Sequence, residues 1–229
     1  MLFQVKGTHV YFIASFHRLP IDNYYLPAAV WSAYQQSKIC IFEDNPLTGL
    51  HPCPPMKSDQ NVYYPWAQAL LLSTKLAESL GFVVSCCVDS QLLRESIEDK
   101  KTLDYLDIEN VCNVFASAPI EEQNLFLDLV TNHSDKYIEN LRRHYTAWRN
   151  WDVETLTEML NLNFTLFPEM YRHLITLRNQ LWCPKIVSTI SSGDPAIIVA
   201  GASHFIGTEG ICQLTMNHGY DLLEIPLDL

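Results

Sequence analysis

Three residues of the chain stand where polar side chains do chemistry in α/β sheets. His17 follows the aromatic and β-branched run at residues 8–16. Glu43 closes the shorter run 38–43, and His204 follows Ile197-Ile198-Val199-Ala200-Gly201. In open parallel sheets ligands bind beyond the carboxyl ends of the strands. Two imidazoles and a carboxylate on one sheet edge suit a divalent metal that keeps open positions for water. Such a metal lowers the pKa of bound water and supplies a nucleophile near neutral pH. Mixed nitrogen and oxygen ligands leave manganese, cobalt, zinc and iron all open. Each residue also has a plainer reading. His17 is a satisfied polar residue at a strand end, and Glu43 with Asp44 is a solvated loop start. At His204, Gly201 permits close backbone approach and the helix expected next offers N–H donors to an anion.

Arg178 lies four residues after Leu174 and four before Trp182, on the apolar stripe of a long helix, where a charge needs a partner. It either snorkels at the core edge or aims into the site, fixing a carboxylate or stabilising developing negative charge. Asn179 beside it reaches the site or caps a local carbonyl. His9, His51, His133, His144, His173 and His218 read as surface positions. The doublet Cys86-Cys87 has no neighbouring base and reads as core.

The elements that must position these residues follow from hydrophobic periodicity. Residues 1–7 read as a strand and 8–16 as another. A turn at 19–23 leads to a helix through Leu26, Val30, Ala33 and Tyr34, with Pro27 in its first turn, and then to the strand 38–43. This is a β-α-β unit with parallel strands. Residues 44–61, with four prolines, read as a flexible loop. An amphipathic helix through Trp66, Ala69, Leu76 and Leu80 comes next. Residues 81–101 are ambiguous, and 102–106 read as a third strand. From 109 to about 192 the pattern is helical, with Asp152 as an N-cap. One long helix there runs through Phe167, Tyr171, Leu174, Leu181 and Trp182. The chain closes with strand Ala196–Gly201, a helix over 208–217 stopped by Gly219, and a strand at 221–225. Neither half has enough strands to fold alone, so both must enter one sheet. The expected fold is α/β: a mostly parallel sheet built from N- and C-terminal βαβ-type units in a single domain over 1–229, with residues 109–192 a helical insertion.

Composition narrows the function. With 48% hydrophobic and 18% charged residues the chain is globular, not disordered. A net charge of −11 repels phosphate backbones and anionic headgroups, which excludes nucleic acid and membrane surfaces as first partners. No apolar run is long enough to span a bilayer. The N-terminus lacks signal-peptide features. The seven cysteines are odd in number and form no C-x-x-C pair, which points to reduced thiols. A cytoplasmic location is the expectation, with export by a route without a cleaved signal left open.

Taken in order, the same residues resemble the TraB/PrgY/GumN family, which includes the Tiki proteases. The family's first motif, a strand ending G-x-x-H and then a strand with a glutamate, reads here Ala14-Ser15-Phe16-His17 and Ile41-Phe42-Glu43. Its helical signature reads Leu177-Arg178-Asn179-Gln180-Leu181-Trp182-Cys183-Pro184-Lys185-Ile186. The closing motif reads Gly201-Ala202-Ser203-His204, then Gly207, Gly210 and Gly219-Tyr220. Smaller echoes are Val88-Asp89 and Asp107. Three departures stand out: Ala14 replaces a glycine, the stretch from Glu43 to Trp66 is short, and the usual signal peptide or anchor is missing. The resemblance implies a fold like ChaN and the erythromycin esterases, and a site of His17, Glu43, Arg178 and His204. It implies metal-dependent hydrolysis of a peptide or other small amide or ester substrate. In that reading His17, Glu43 and His204 hold the metal, while Glu43, Arg178 and Asn179 serve catalysis. Two alternatives use the same residues: a non-catalytic peptide- or haem-binding protein, and a degenerate member acting through protein contacts.

Overall fold

The computed structural model describes residues 1–21, 26–44, 64–107 and 111–227. The two longest apolar runs form strands β2 (Val10–Ser15) and β7 (Ala196–Gly201), buried at every position. Unbroken apolar strands of this kind belong in the middle of a parallel sheet, with both faces covered. β2 pairs in parallel with β7, β7 with β4 (Ile39–Phe42), and β4 with β6 (Thr102–Tyr105). On the other side of β2 the sheet turns antiparallel through β1 (Leu2–Val5) and β8 (Leu222–Ile225). The order across the six strands is β6-β4-β7-β2-β1-β8. The two ends of the chain therefore share one mostly parallel α/β sheet. The β-α-β unit of β2, helix α1 (Ala28–Gln36) and β4 is parallel as expected, but its strands are not neighbours. They leave a slot one strand wide, which β7 fills from the far end of the sequence.

Proline pre-sets two helix starts: Pro27 is the N-cap of α1, and Pro65 opens α2 (Pro65–Ser79). The ambiguous stretch 81–101 resolves into a short strand (β5, Phe82–Val83), a 3₁₀ turn (Val84–Cys86) and helix α3 (Val88–Glu98). β5 pairs with β3 (Leu19–Pro20) in a small second sheet. The helical stretch holds α4 (Val111–Ser117), α5 (Ile120–Asn132), α6 (Ser134–Asn150), α7 (Val153–Leu166), α8 (Pro168–Tyr171) and α9 (Arg178–Ser192). Asp152 caps α7 by accepting the Thr155 N–H at 3.0 Å. Trp148 on α6 donates its indole N–H to the Ala14 carbonyl at 3.0 Å, and the sheet core includes Ala147, Leu156, Leu160, Trp182 and Ile186 from this stretch.

The long helix differs from a uniform α-helix. Between α8 and α9, Arg172–Leu177 is π-helical. Buried and half-buried positions nevertheless continue through it, by way of Tyr171, Leu174 and Ile175, to Arg178, Asn179 and Trp182. Trp182 is buried as expected, whereas Leu181 is 72% exposed. After β7 the chain makes a 3₁₀ turn (Ala202–His204), and α10 begins only at Ile211 (Ile211–Asn217). No helix N-terminus therefore follows His204 directly. Gly219, at φ +87, ends α10. The expected turn residues Asp22 and Asn23, the proline-rich loop with His51 and Cys53, and residue 109 lie outside the described residues. No described helix is long and apolar enough to cross a membrane.

Candidate functional site

The four parallel strands end on one edge of the sheet, and each delivers a polar residue there. In spatial order these are Asp107 after β6, Glu43 after β4, His204 after β7 and His17 after β2. The pairing of β4 with β6 runs past their ends, with the Asp107 N–H donating to the Glu43 carbonyl at 2.9 Å. That sets the two carboxylates side by side. Glu43 Oε2 accepts the Gly201 N–H at 2.8 Å, which ties it to β7. Gly201 leaves the space that the His17 ring occupies. A Cβ on it would lie 2.6 Å from His17 Nε2 and 3.4 Å from Glu43 Oε2. Ala14, at the matching position of the first motif, points into the core and is fully buried.

Arg178 is buried and reaches the same edge from the first turn of α9. All five of its N–H donors find acceptors. Nε and Nη2 make a two-point contact with Asp107 (3.1 and 2.7 Å), and Nη2 also donates to Glu43 Oε1 at 2.6 Å. Nη1 donates to the Leu174 carbonyl at 3.1 Å and faces His204 Nε2 at 3.3 Å. The guanidinium stacks 4.6 Å from the Trp182 ring, and the Trp182 indole donates to Asp107 at 2.8 Å. Leu174 lies in the preceding π-helical segment.

Both histidines present Nε2 to Glu43, and both have Nδ1 committed elsewhere. The Asn179 amide nitrogen donates to the carbonyls of His204 and Glu209 at 3.1 and 2.8 Å, so its oxygen must face His204 Nδ1, 2.7 Å away. That assigns the proton of His204 to Nδ1 and leaves Nε2 as a lone pair, 3.5 Å from Glu43 Oε1. His17 Nε2 is 3.4 Å from Glu43 Oε2, and its Nδ1 is 3.4 Å from Asp89 Oδ2. Asp89 sits in the first turn of α3 and also accepts from the Ser15 hydroxyl. His204 is deeply buried, whereas 54% of the His17 side chain is exposed, so the site opens to solvent on the His17 side.

The charges follow from these neighbours. Burial alone would raise the Glu43 carboxyl, but Arg178, His204 and His17 outweigh it and hold it well below the usual carboxylate range. Partial desolvation of its inner edge opposes the charge on His17, and the carboxylates of Asp89 and Glu43 override that to raise it well above its ordinary value. Asp89 is lowered in return, His17 outweighing its burial. His204 is lowered by burial first, with Arg178 and His17 adding to it against Glu43. At neutral pH the metal-free site therefore holds an ionised Glu43, a charged His17 and a neutral His204.

The structure thus brings together all five residues singled out from the sequence: His17, Glu43, Arg178, Asn179 and His204. It also adds two carboxylates, Asp89 and Asp107, that the sequence reading left outside the site. Each had a signal, Asp107 by following a strand and Asp89 by opening a helix. The cysteine doublet stays outside, with the Cys87 thiol pushed up to about 11 by burial and Asp89.

The family model of the TraB/PrgY/gumN family matches residues 52–222. The chain belongs to this family. The TraB/PrgY/gumN match spans Asp89, Asp107, Arg178, Asn179 and His204, while His17 and Glu43 precede it. No curated protein and no solved structure matches the chain.

Proposed function

We propose that the chain is a metal-dependent hydrolase acting on a peptide or other amide or ester bond. One observation carries this reading. Two imidazoles, each with Nδ1 held by an oxygen acceptor, turn Nε2 toward the two oxygens of one ionised carboxylate at 3.4 and 3.5 Å. Histidines that hold metals are oriented in this way, the far ring nitrogen donating to a carboxylate or carbonyl. Membership of the TraB/PrgY/gumN family supports the same reading.

The donor set fits a divalent ion in its chemistry: His17 Nε2, His204 Nε2 and Glu43 Oε2. Three carboxylates, Glu43, Asp89 and Asp107, stand against two cations, Arg178 paired with Glu43 and Asp107 and the charged His17 beside Asp89, which leaves one negative charge in excess for a cation. Among the described residues no group of three such side chains is already set to hold a metal. The obstacle is Arg178 Nη1, whose 3.3 Å contact with His204 Nε2 is the longest of its five and the one a metal would replace. When bound, manganese, cobalt, zinc or iron would activate water and polarise the scissile carbonyl.

The side chains have separate tasks in this reading. Glu43 stays ionised as ligand or base because Arg178 holds it so. Arg178, with every donor engaged, orients Glu43 and is not free to bind an oxyanion. Asn179 fixes the tautomer of His204. His17, on the solvent side, is the group a substrate meets first. We read residues 1–229 as one domain with residues 109–192 inserted, arranged as in ChaN and the erythromycin esterases, and place it in the cytoplasm.

The test is elemental analysis of the purified protein, before and after loading with manganese, zinc, cobalt and iron, beside a His17→Ala/His204→Ala double variant. Near-stoichiometric metal that disappears in the double variant is the expected result. No metal under any loading condition would sink the reading.

A further inference from the structure

Among the described residues two arginines are withdrawn from solvent, Arg178 and Arg18. Arg178 has two carboxylates. Among the described residues Arg18 faces only hydroxyls, donating to Thr74 Oγ1 at 2.9 Å and to Tyr137 Oη at 3.4 Å. No carboxylate among the described residues pairs with it, in a chain where 26 acidic residues stand against 15 basic ones. A partly buried guanidinium that meets hydroxyls but no carboxylate among the described residues is a ready partner for an anion from outside.

Arg18 follows His17 directly and lines an open cavity of about 270 Å³ between α2, α4, α5, α6, α7, α8 and the π-helical segment. Leu70, Phe126, Leu129, Met159 and Leu174 supply apolar walls. An apolar cavity of about 150 Å³ is enough to hold benzene. The space here therefore suits one aromatic ring or a short branched alkyl chain. Two contacts join the cavity to the site. His144 lines it and packs edge-on against Phe16, with ring centres 5.2 Å apart, and Phe16 precedes His17. Leu174 lines it as well, and its carbonyl accepts from Arg178.

We propose that Arg18 and this cavity form a subsite for a hydrophobic group bearing a carboxylate, either the C-terminal residue of a peptide or a free aromatic or aliphatic acid. The guanidinium pairs with the carboxylate and the cavity takes the apolar part. Binding stands on these residues alone. Its use in positioning a substrate rests on the hydrolase reading and would place cleavage near the carboxyl end of a peptide.

Calorimetric titration of the metal-free full chain tests this with three probes: N-acetyl-Leu-Phe, its C-terminal amide, and 4-phenylbutyrate. The expected result is that the free-acid peptide binds about tenfold or more tightly than the amide, the worth of one hydrogen-bonded charge pair. Arg18→Gln, which keeps donors for the two hydroxyls, should erase that preference. Leu129→Phe, which fills the cavity, should weaken acid and amide alike. Binding of 4-phenylbutyrate without the peptide supports the subsite and identifies a free acid as its source. Equal affinity for acid and amide, a preference that survives Arg18→Gln, or no binding of either acid overturns the proposal. Because binding is read without metal or turnover, its failure leaves the hydrolase reading standing, and the reverse holds too.

Discussion

His17 and His204 end neighbouring parallel strands and turn Nε2 toward opposite oxygens of the same carboxylate, yet their surroundings differ. His204 is enclosed. Asn179 holds its Nδ1 proton, Trp182 packs 4.5 Å from its ring, and burial keeps it neutral. His17 is more than half exposed, and Asp89 and Glu43 keep it charged. The backbones differ to match. Gly201 has no Cβ, so the His17 ring can sit against β7, whereas Ala14 buries a methyl group in the core. One histidine is a fixed anchor and the other faces incoming substrate, and the difference arises in what surrounds each motif, since the two motifs themselves are nearly alike.

The change that should break this comparison most completely is at Arg178, which contacts Glu43 and His204 and, through Glu43, bears on His17. Arg178→Ala leaves Glu43 and Asp107 buried without their cation and should cost about 3–5 kcal/mol of stability in urea unfolding at neutral pH. Arg178→Lys keeps the charge but offers three donors to five acceptors, so it should fold with a smaller loss and still take up metal poorly. A lysine variant with wild-type stability and metal content would show that the planar fork is dispensable. Next in size is Gly201→Ala. Its Cβ would stand 2.6 Å from His17 Nε2, an overpacking worth about 1–3 kcal/mol, and should displace His17 and reduce metal uptake. Ala14→Gly, the reciprocal change, should cost roughly 1 kcal/mol through backbone entropy and leave uptake intact. If the two exchanges affected uptake equally, the asymmetry between the motifs would be wrong.

Much of this site was legible in the sequence because strand ends announce themselves. The apolar runs before His17 and His204, and the run that ends at Glu43, set a sheet edge, and the helical spacing of Leu174, Arg178 and Trp182 put a charge where it needed a partner. What the sequence does not carry is which remote group meets which. Asp89 comes from a helix in a stretch whose periodicity decides nothing, and it reaches His17 only because α3 packs beside β4. The order of the strands was likewise hidden, since β7 enters between β2 and β4 from the other end of the chain. Leu181 was misplaced for a local reason: the buried face of α9 is set by Arg178, Asn179, Trp182, Cys183, Ile186 and Ile190, and at α-helical spacing Leu181, next to Trp182, falls on the opposite side.

The finest distinction between the two histidines is electrostatic, and nuclear magnetic resonance titration of the ring protons in metal-free protein reads it directly. His17 should titrate above the ordinary histidine value of about 6.5 and His204 below it. The stability consequences have opposite signs. The raised value of His17 means that its contribution is fully present below about pH 6.5 and is lost as pH rises through its higher folded value. The lowered value of His204 means that its contribution is present above about pH 6.5 and is lost as pH falls through its folded value. The metal-free protein should therefore lose stability on both sides of neutrality, through different residues. Asp89→Asn separates them. It removes the charge 3.4 Å from His17 Nδ1 while leaving an acceptor for Ser15, so His17 should move down toward its ordinary value and the alkaline loss should shrink. His204, enclosed by Asn179 and Arg178, should titrate as before. If both histidines moved together, Glu43 would be coupling them into one unit, and the division between anchor and substrate-facing group would have to be abandoned.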